Sequence, residues 1–131
     1  MAVKFLSQEW ADALTEKLNA DRSFTSSIAG KKAKIQQNVT GPDGQHPYWL
    51  VIDDGRISMG LGDMDGADAT ISEDYDTAVK LARSEINVVT AFMSGRIKVT
   101  NLGFLMPLQG ALSELPKAMQ QIDTEYESRS D

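Results

Sequence analysis

Residues 33–61 read AKIQQNVTGPDGQHPYWLVIDDGRISMGL, and over much of this stretch apolar side chains recur at every second position. A period of two indicates strands with one buried face. Turn-forming residues divide the stretch into three parts: residues 41–44 combine glycine, proline and aspartate, and Asp54-Gly55 is typical of a tight hairpin turn. We therefore predict an antiparallel meander of three strands.

Helical patterns precede this meander. An amphipathic helix is indicated by four apolar residues spaced four apart: Leu6, Trp10, Leu14 and Leu18. Ser7 is its predicted N-cap. Residues 21–30 predict a second, shorter helix or turn that carries Phe24 and Ile28 inward and ends at Gly30. The first thirty residues are thus expected to cover the sheet.

The chain after the meander alternates between strand and helix patterns. Residues 67–72 predict a fourth short strand, and Ser72 is the predicted N-cap of the helix that follows. Residues 86–94 predict another helix that Gly95 ends, and residues 96–100 predict a fifth strand. The segregation of strands and helices predicts an α+β fold, with one mostly antiparallel sheet covered on one face by helices.

The last thirty residues predict interrupted helices. Asn101 is a predicted cap, and the segment Leu102–Leu112 contains Gly103, Pro107 and Gly110. Because proline inside a helix removes a hydrogen bond, we expect a broken or late-starting helix there. A final helix should have Pro116 in its first turn, and its apolar stripe consists of Leu115, Met119, Ile122 and Tyr126.

Composition narrows the class of protein. The chain has 131 residues, 41% of them apolar, which predicts a single globular domain over residues 1–131. A net charge of −6 argues against nucleic acid as a partner, and the absence of cysteine excludes disulfides and thiol chemistry. We see no signal peptide or transmembrane span, so we expect a cytoplasmic protein with at most transient membrane contact.

Catalytic and metal-binding motifs are not apparent. His46 is the only histidine, and it lies in a turn-like stretch without a neighbouring nucleophile. The acidic turn at residues 63–68 fails as an EF-hand, because alignment on Gly66 puts Leu61 and Ser72 where carboxylate ligands are required. We predict no catalytic residue, no metal site and no cofactor.

The second half of the chain carries a more specific pattern. Ala69-Thr70-Ile71-Ser72 leads into a helix, and NVVTAFMSGRIKV at residues 87–99 joins an apolar helix to a basic, alternating strand. An Ala-Phe-Met-x-Gly helix end entering such a strand resembles the core motif of the sterol carrier protein 2 family, and the order of elements is similar over about residues 1–127. In the position where that family commonly has Gly-Asp-Met, this chain has Thr100-Asn101-Leu102.

The resemblance implies a five-stranded sheet, helices on one side and an apolar tunnel between them. It also implies that the protein binds and carries or presents a sterol, a fatty acid or a fatty acyl-CoA, without catalysis. The candidate lining residues come from the strand and helices around this motif: Phe92, Met93, Ile97, Val99, Leu102, Phe104, Leu105, Met106, Leu108, Leu112 and Met119. Leu102–Gly110 is the predicted mobile gate.

Two other functions stay open at this point. One is an enzyme that acts on an apolar substrate in the same cavity, using His46, Tyr48 or an aspartate if one faces the cavity. The other is a protein-interaction module whose core is filled by its own side chains. The sequence does not identify the ligand or the oligomeric state.

Overall fold

A computed structural model describes residues 2–126, without the side chains of Val88 and Val89. Its strands are β1 (Val3–Lys4), β2 (Lys32–Gly41), β3 (Gly44–Asp53), β4 (Arg56–Leu61), β5 (Ala69–Asp74), β6 (Ile97–Val99) and β7 (Thr124–Glu125). Five of them form a mixed sheet in the order β4-β3-β2-β5-β6. Neighbours are antiparallel except β2 and β5, which run parallel. A separate parallel pair joins β1 to β7.

The helices lie against this sheet. They are α1 (Gln8–Ala20), α2 (Arg22–Ser27), α3 (Tyr75–Ala82), α4 (Val88–Met93), α5 (Leu102–Leu105), a 3₁₀ turn (Met106–Leu108), α6 (Gln109–Leu112) and α7 (Leu115–Gln120). Helix α1 packs on β4, α3 packs on β2 and β5, and α7 packs on α1 and α3. The predicted α+β class and the five-stranded sheet are confirmed.

The meander forms as predicted because its turn residues fit the backbone. At the β3–β4 hairpin, Asp54 and Gly55 have φ angles of 44° and 85°. Two consecutive positive φ angles match the right-handed twist of the flanking strands, and aspartate followed by glycine tolerates them well. The turn pairs Asp53 with Arg56 and thereby fixes the register of the whole hairpin.

Alternation along β2 separates the two faces of the sheet. Ala33, Ile35 and Val39 are buried under the helices, whereas Lys34 is exposed on the other face.

Gln36, also on that other face, is nonetheless buried, because the loop after β4 folds over it. Its Nε2 donates to the carbonyl of Gly62 at 3.2 Å, and its Oε1 accepts from the amide of Met64 at 2.8 Å. These bonds hold the acidic turn, residues 63–68, against the sheet.

The end of β5 differs from the prediction. The strand runs on to Asp74, and it is Asp74, not Ser72, that caps α3, accepting from the amide of Thr77 at 2.7 Å. Ser72 and Glu73 stay extended because both pair with β2 and with β6. As a result, Glu73 belongs to the sheet and is not part of the first turn of the helix.

The C-terminal part contains both confirmed and wrong expectations. The helix around Pro107 is broken, as predicted, into α5, the 3₁₀ turn and α6. Asn101 is not a side-chain cap: it has φ 56°, and its Nδ2 donates instead to the carbonyl of Asp68 at 2.9 Å. The last helix ends at Gln120, because the chain then turns to pair β7 with β1. Tyr126 therefore lies beyond the helix, where its ring packs on Phe5 at 5.0 Å.

Candidate functional site

The predicted lining residues fall into three groups by exposure. Four are buried: Ile97, Leu105, Leu108 and Met119. Three are partly buried: Val99, Phe104 and Leu112. Four are exposed: Phe92, Met93, Leu102 and Met106, with Met93 exposed to 79%. The structure thus does not gather all eleven in one place, and their contact with a ligand stays a prediction.

An apolar groove of about 390 Å³ lies beside the broken helix. It is bounded by the start of β2 on one side and by α5 and the 3₁₀ turn on the other. Its lining residues are Lys31, Lys32, Gly103, Phe104, Pro107 and Leu108. Two of the predicted lining residues, Phe104 and Leu108, thus come together here, and both also contact the main hydrophobic core. The groove therefore adjoins the interior of the protein.

The groove owes its shape to the sequence of the broken helix. Gly103 leaves its side-chain position empty, since a Cβ there would meet no atom within 4 Å. Pro107 lacks a backbone N–H and interrupts the helix, so α5 and α6 are each limited to four residues. The Lys31 ammonium donates to the carbonyl of Pro107 at 3.3 Å and ties this segment to the sheet. That single exposed bond is a weak tether.

A second groove, of about 570 Å³, lies where α7 meets the chain's last described residues. It is lined by Arg83, Met119 and residues 120–124, together with Tyr126. The Arg83 guanidinium lies 5.9 Å from the centre of the Tyr126 ring. Because its lining is mostly polar, this groove suits an apolar chain less well than the first.

The interior contains a polar cluster, which we define as Trp10, Tyr48 and Glu73. The Trp10 ring meets the Tyr48 ring edge-on, with centroids 5.3 Å apart. Glu73 lies in register with Val39 and Ile97, both buried, and so shares their face of the sheet. Within residues 2–126, Trp10 Nε1 and Glu73 Oε2 are the buried side-chain atoms without a hydrogen-bond partner.

Burial sets the electrostatics of this cluster. Loss of water, together with the smaller effect of the Asp74 charge, raises the pKa of Glu73 from its ordinary 4.5 to about 7. Burial, followed by the charge of Glu73, raises the pKa of Tyr48 above its usual range. Glu73 thus holds a proton more readily than an ordinary carboxyl group does. The sequence analysis did not predict a buried Glu73, because it ended the strand at residue 72. The signal was nevertheless present, since Ala69, Ile71 and Glu73 continue the alternation of the strand.

The remaining sequence candidates do not form a reactive centre in the described part of the chain. His46 lies in β3, paired with Val39, and not in a turn as the sequence suggests. Its Nε2 lies 2.8 Å from Asp43 Oδ1 in the adjoining turn, and this bond lowers the pKa of Asp43. Among the described residues, no group of three or more histidine, aspartate or glutamate side chains is placed to hold a metal ion. The helices within residues 2–126 are all too short or too polar to cross a membrane.

Comparison with known proteins adds a family and a fold. A model of the SCP-2 sterol transfer family matches residues 2–113. No curated protein sequence matches the chain significantly. The fold is similar to that of a crystal structure of sterol carrier protein 2, with a TM-score of 0.79 and 19% identity over 91% of this chain and 99% of that chain. A conserved hypothetical protein from Thermus thermophilus has a TM-score of 0.78 and 19% identity, over 95% and 93% of the two chains.

A similar fold also occurs within a larger enzyme. The inverting sec-alkylsulfatase of a Pseudomonas species matches 90% of this chain with a TM-score of 0.57 and 20% identity, but the match spans 16% of the sulfatase. At such identities the likeness of these structures concerns the fold alone. The family match, in contrast, rests on the sequence and covers most of the chain. The protein belongs to the SCP-2 sterol transfer family.

Proposed function

We propose that this protein binds an apolar lipid-like ligand between its sheet and the broken helix, and carries or presents it without chemical change. The family supports lipid binding or transfer in general. The observation that carries the proposal for this chain is the apolar groove beside Phe104 and Leu108, which adjoins the core. Sterols, fatty acids and fatty acyl-CoA are the candidate ligands. The cytoplasm, expected from the sequence, is the proposed place of action.

Burial of hydrocarbon supplies the driving force in this proposal. Each methylene that leaves water contributes about 0.8 kcal/mol, so a chain of about 15 methylenes gains roughly 12 kcal/mol before ordering costs are subtracted. Few polar contacts are then required for tight binding. The groove fits this expectation because, apart from Lys31 and Lys32, its lining carries no polar side chain.

The segment Leu102–Gly110, which we call the gate segment, would admit the ligand. Its helical pieces are short, and α5 and the 3₁₀ turn begin without a side-chain cap, so little local structure resists opening. Leu102 and Met106 are 41% and 58% exposed there. Such exposed apolar groups would support transient contact with a membrane while a lipid enters or leaves.

A pair of glycine variants tests the groove as the point of entry. In G103F the new ring should occupy the groove, because nothing fills the space beside Gly103. In G110F the same ring is added at an equally open position on α6 that does not line the groove. We expect G103F to weaken binding of the fluorescent fatty acid cis-parinaric acid by about tenfold or more, and G110F by no more than about twofold.

Fluorescence titration of the wild-type protein and both variants measures this effect, with circular dichroism to confirm that the variants are folded. Equal binding by all three proteins would show that the ligand does not enter through this groove. If the wild-type protein binds neither cis-parinaric acid nor the fluorescent sterol dehydroergosterol at micromolar concentration, the proposed function itself is wrong.

A further inference from the structure

Two buried polar atoms in the protein lack a partner among residues 2–126: the indole Nε1 of Trp10 and Oε2 of Glu73. Buried polar groups in folded proteins are nearly always hydrogen-bonded, so each exception calls for an explanation. Trp10 is fully buried on α1, and Glu73 comes from β5. An indole N–H can only donate, whereas a carboxyl group can accept in either protonation state. The interior of the described chain thus contains one unused donor and one unused acceptor.

Tyr48 connects these two side chains. Its ring meets the Trp10 ring edge-on at 5.3 Å, and the charge of Glu73, after burial, contributes to the raised pKa of Tyr48. Tyr48 and Glu73 belong to the same face of the sheet, since Tyr48 is in register with Gln37 and Glu73 with Val39, two positions further along β2. Residues from α1, β3 and β5 thus place the polar cluster in one part of the interior.

The polar cluster lies at the opposite end of β2 from the apolar groove. The groove includes Lys32, at the start of the strand, and Glu73 is in register with Val39, seven positions later. At the rise of an extended strand this separation is about 23 Å. The inner face of β2 between the two is filled by Ile35 and Val39, both fully buried. A hydrocarbon chain that entered at the groove would therefore bring its far end to the polar cluster only where the helices move off this face.

We propose that Trp10, Tyr48 and Glu73 bind the polar end of the lipid, and that they select a ligand whose polar group is a neutral hydroxyl. This inference rests on the proposed function. A hydroxyl both donates and accepts, so it matches the chemistry of both unpartnered atoms, the Glu73 oxygen as acceptor and the Trp10 N–H as donor. A fatty acid anion in that position would face the Glu73 carboxylate, and two like charges in an apolar layer repel strongly. Long-chain alcohols and sterols fit the polar cluster, and ionised fatty acids do not.

The intrinsic fluorescence of Trp10 provides a direct test. The chain has two tryptophans, and Trp49 lies on the other face of the sheet, with its ring over Gly60. In the W49F protein, emission therefore reports on Trp10 alone. We expect 1-hexadecanol to change this emission and to bind about tenfold more tightly than palmitate at about pH 8, where palmitate is ionised.

A glutamine variant then assigns the selectivity to Glu73. E73Q keeps a hydrogen-bonding side chain but removes the charge, so we expect hexadecanol and palmitate to bind within about threefold of each other. The matched control is E16Q, at an exposed glutamate of α1, which should keep the tenfold preference. Competition measured by native mass spectrometry on the unsubstituted protein gives the same preference without any variant.

Each outcome separates this inference from the proposed function. Equal affinity of the wild-type protein for hexadecanol and palmitate, or a preference that E73Q leaves unchanged, would overturn the polar cluster as the selective site while lipid binding stands. Binding of hexadecane as tightly as hexadecanol, without a change in Trp10 emission, would overturn it in the same way. If none of the three molecules binds, the proposed function fails as well.

Discussion

Replacing Trp10 with alanine is expected to lower the free energy of unfolding by about 3–5 kcal/mol. Trp10 is fully buried and is the largest side chain in the core. Its ring packs edge-on against Phe5 at 5.2 Å and against Tyr48 at 5.3 Å, so it joins the N-terminal segment, α1 and the sheet. Alanine would leave a cavity among side chains that three different elements hold in place, and this limits their collapse into it.

The phenylalanine variant at the same position separates volume from hydrogen bonding. W10F keeps most of the ring and removes the unpartnered N–H, so a small loss of packing is offset by the relief of an unsatisfied donor. We expect its free energy of unfolding to lie within about 1 kcal/mol of the wild-type value. Urea unfolding followed by far-ultraviolet circular dichroism measures both variants. Equal destabilisation by W10A and W10F would contradict this account of the Trp10 site.

Replacing Glu73 with glutamine is expected to stabilise the protein at alkaline pH and to change little at acid pH. The pKa of Glu73 is raised to about 7 in the folded state, against an ordinary 4.5. Between these values the folded protein keeps a proton that the unfolded chain has released, so the free energy of unfolding falls as pH rises. Above about pH 7 the full loss applies, on the order of 3 kcal/mol. A glutamine at position 73 carries no charge and therefore does not cause this loss of stability.

The difference in the free energy of unfolding between E73Q and the wild-type protein isolates the effect of Glu73 from that of all other titrating groups. It should be near zero at about pH 4 and should rise to its full value by about pH 8. Urea unfolding across this range measures it, and E16Q, at an exposed position, should show no such slope. A difference that is constant with pH would mean that Glu73 is solvated like an ordinary surface carboxylate.

The sequence predicts the sheet well because local chemistry and burial agree there. Ala33, Ile35 and Val39 alternate with polar residues, and the Asp54-Gly55 turn adopts the positive φ angles that its residue types favour. A single buried face together with a fixed turn leaves one register available. The break at Pro107 was predictable for a similar reason, since the missing N–H is a local property of the residue.

The details that sequence reasoning got wrong depend on tertiary contacts. Ser72 and Asp74 are both good caps, and the choice between them is made by β6, which pairs with Ser72 and Glu73 and keeps them extended. The stripe that ends in Tyr126 has helical spacing, but pairing of β7 with β1 removes that residue from the helix. No local sequence pattern predicts either of these strand pairings, because the paired strands lie far apart in the sequence.

The candidate site likewise contains residues that local patterns predict and residues that they do not. Phe104 and Leu108 were predicted from a pattern of apolar residues around a broken helix, and they do meet at the groove. Met93 satisfies the same pattern, yet it is 79% exposed, because the sequence does not tell which face of a short helix points inward. Glu73 was missed because a two-residue error in the end of β5 assigned it to a solvated helix terminus.

Native mass spectrometry of the freshly purified protein, followed by organic extraction and identification of any bound molecule, tests the central claim most directly. The account predicts a lipid at close to one per protein chain, and the polar cluster predicts that it carries a neutral hydroxyl. A protein that emerges without ligand, and that also fails to take up hexadecanol, palmitate or dehydroergosterol at micromolar concentration, would contradict the claim that this chain is a lipid carrier.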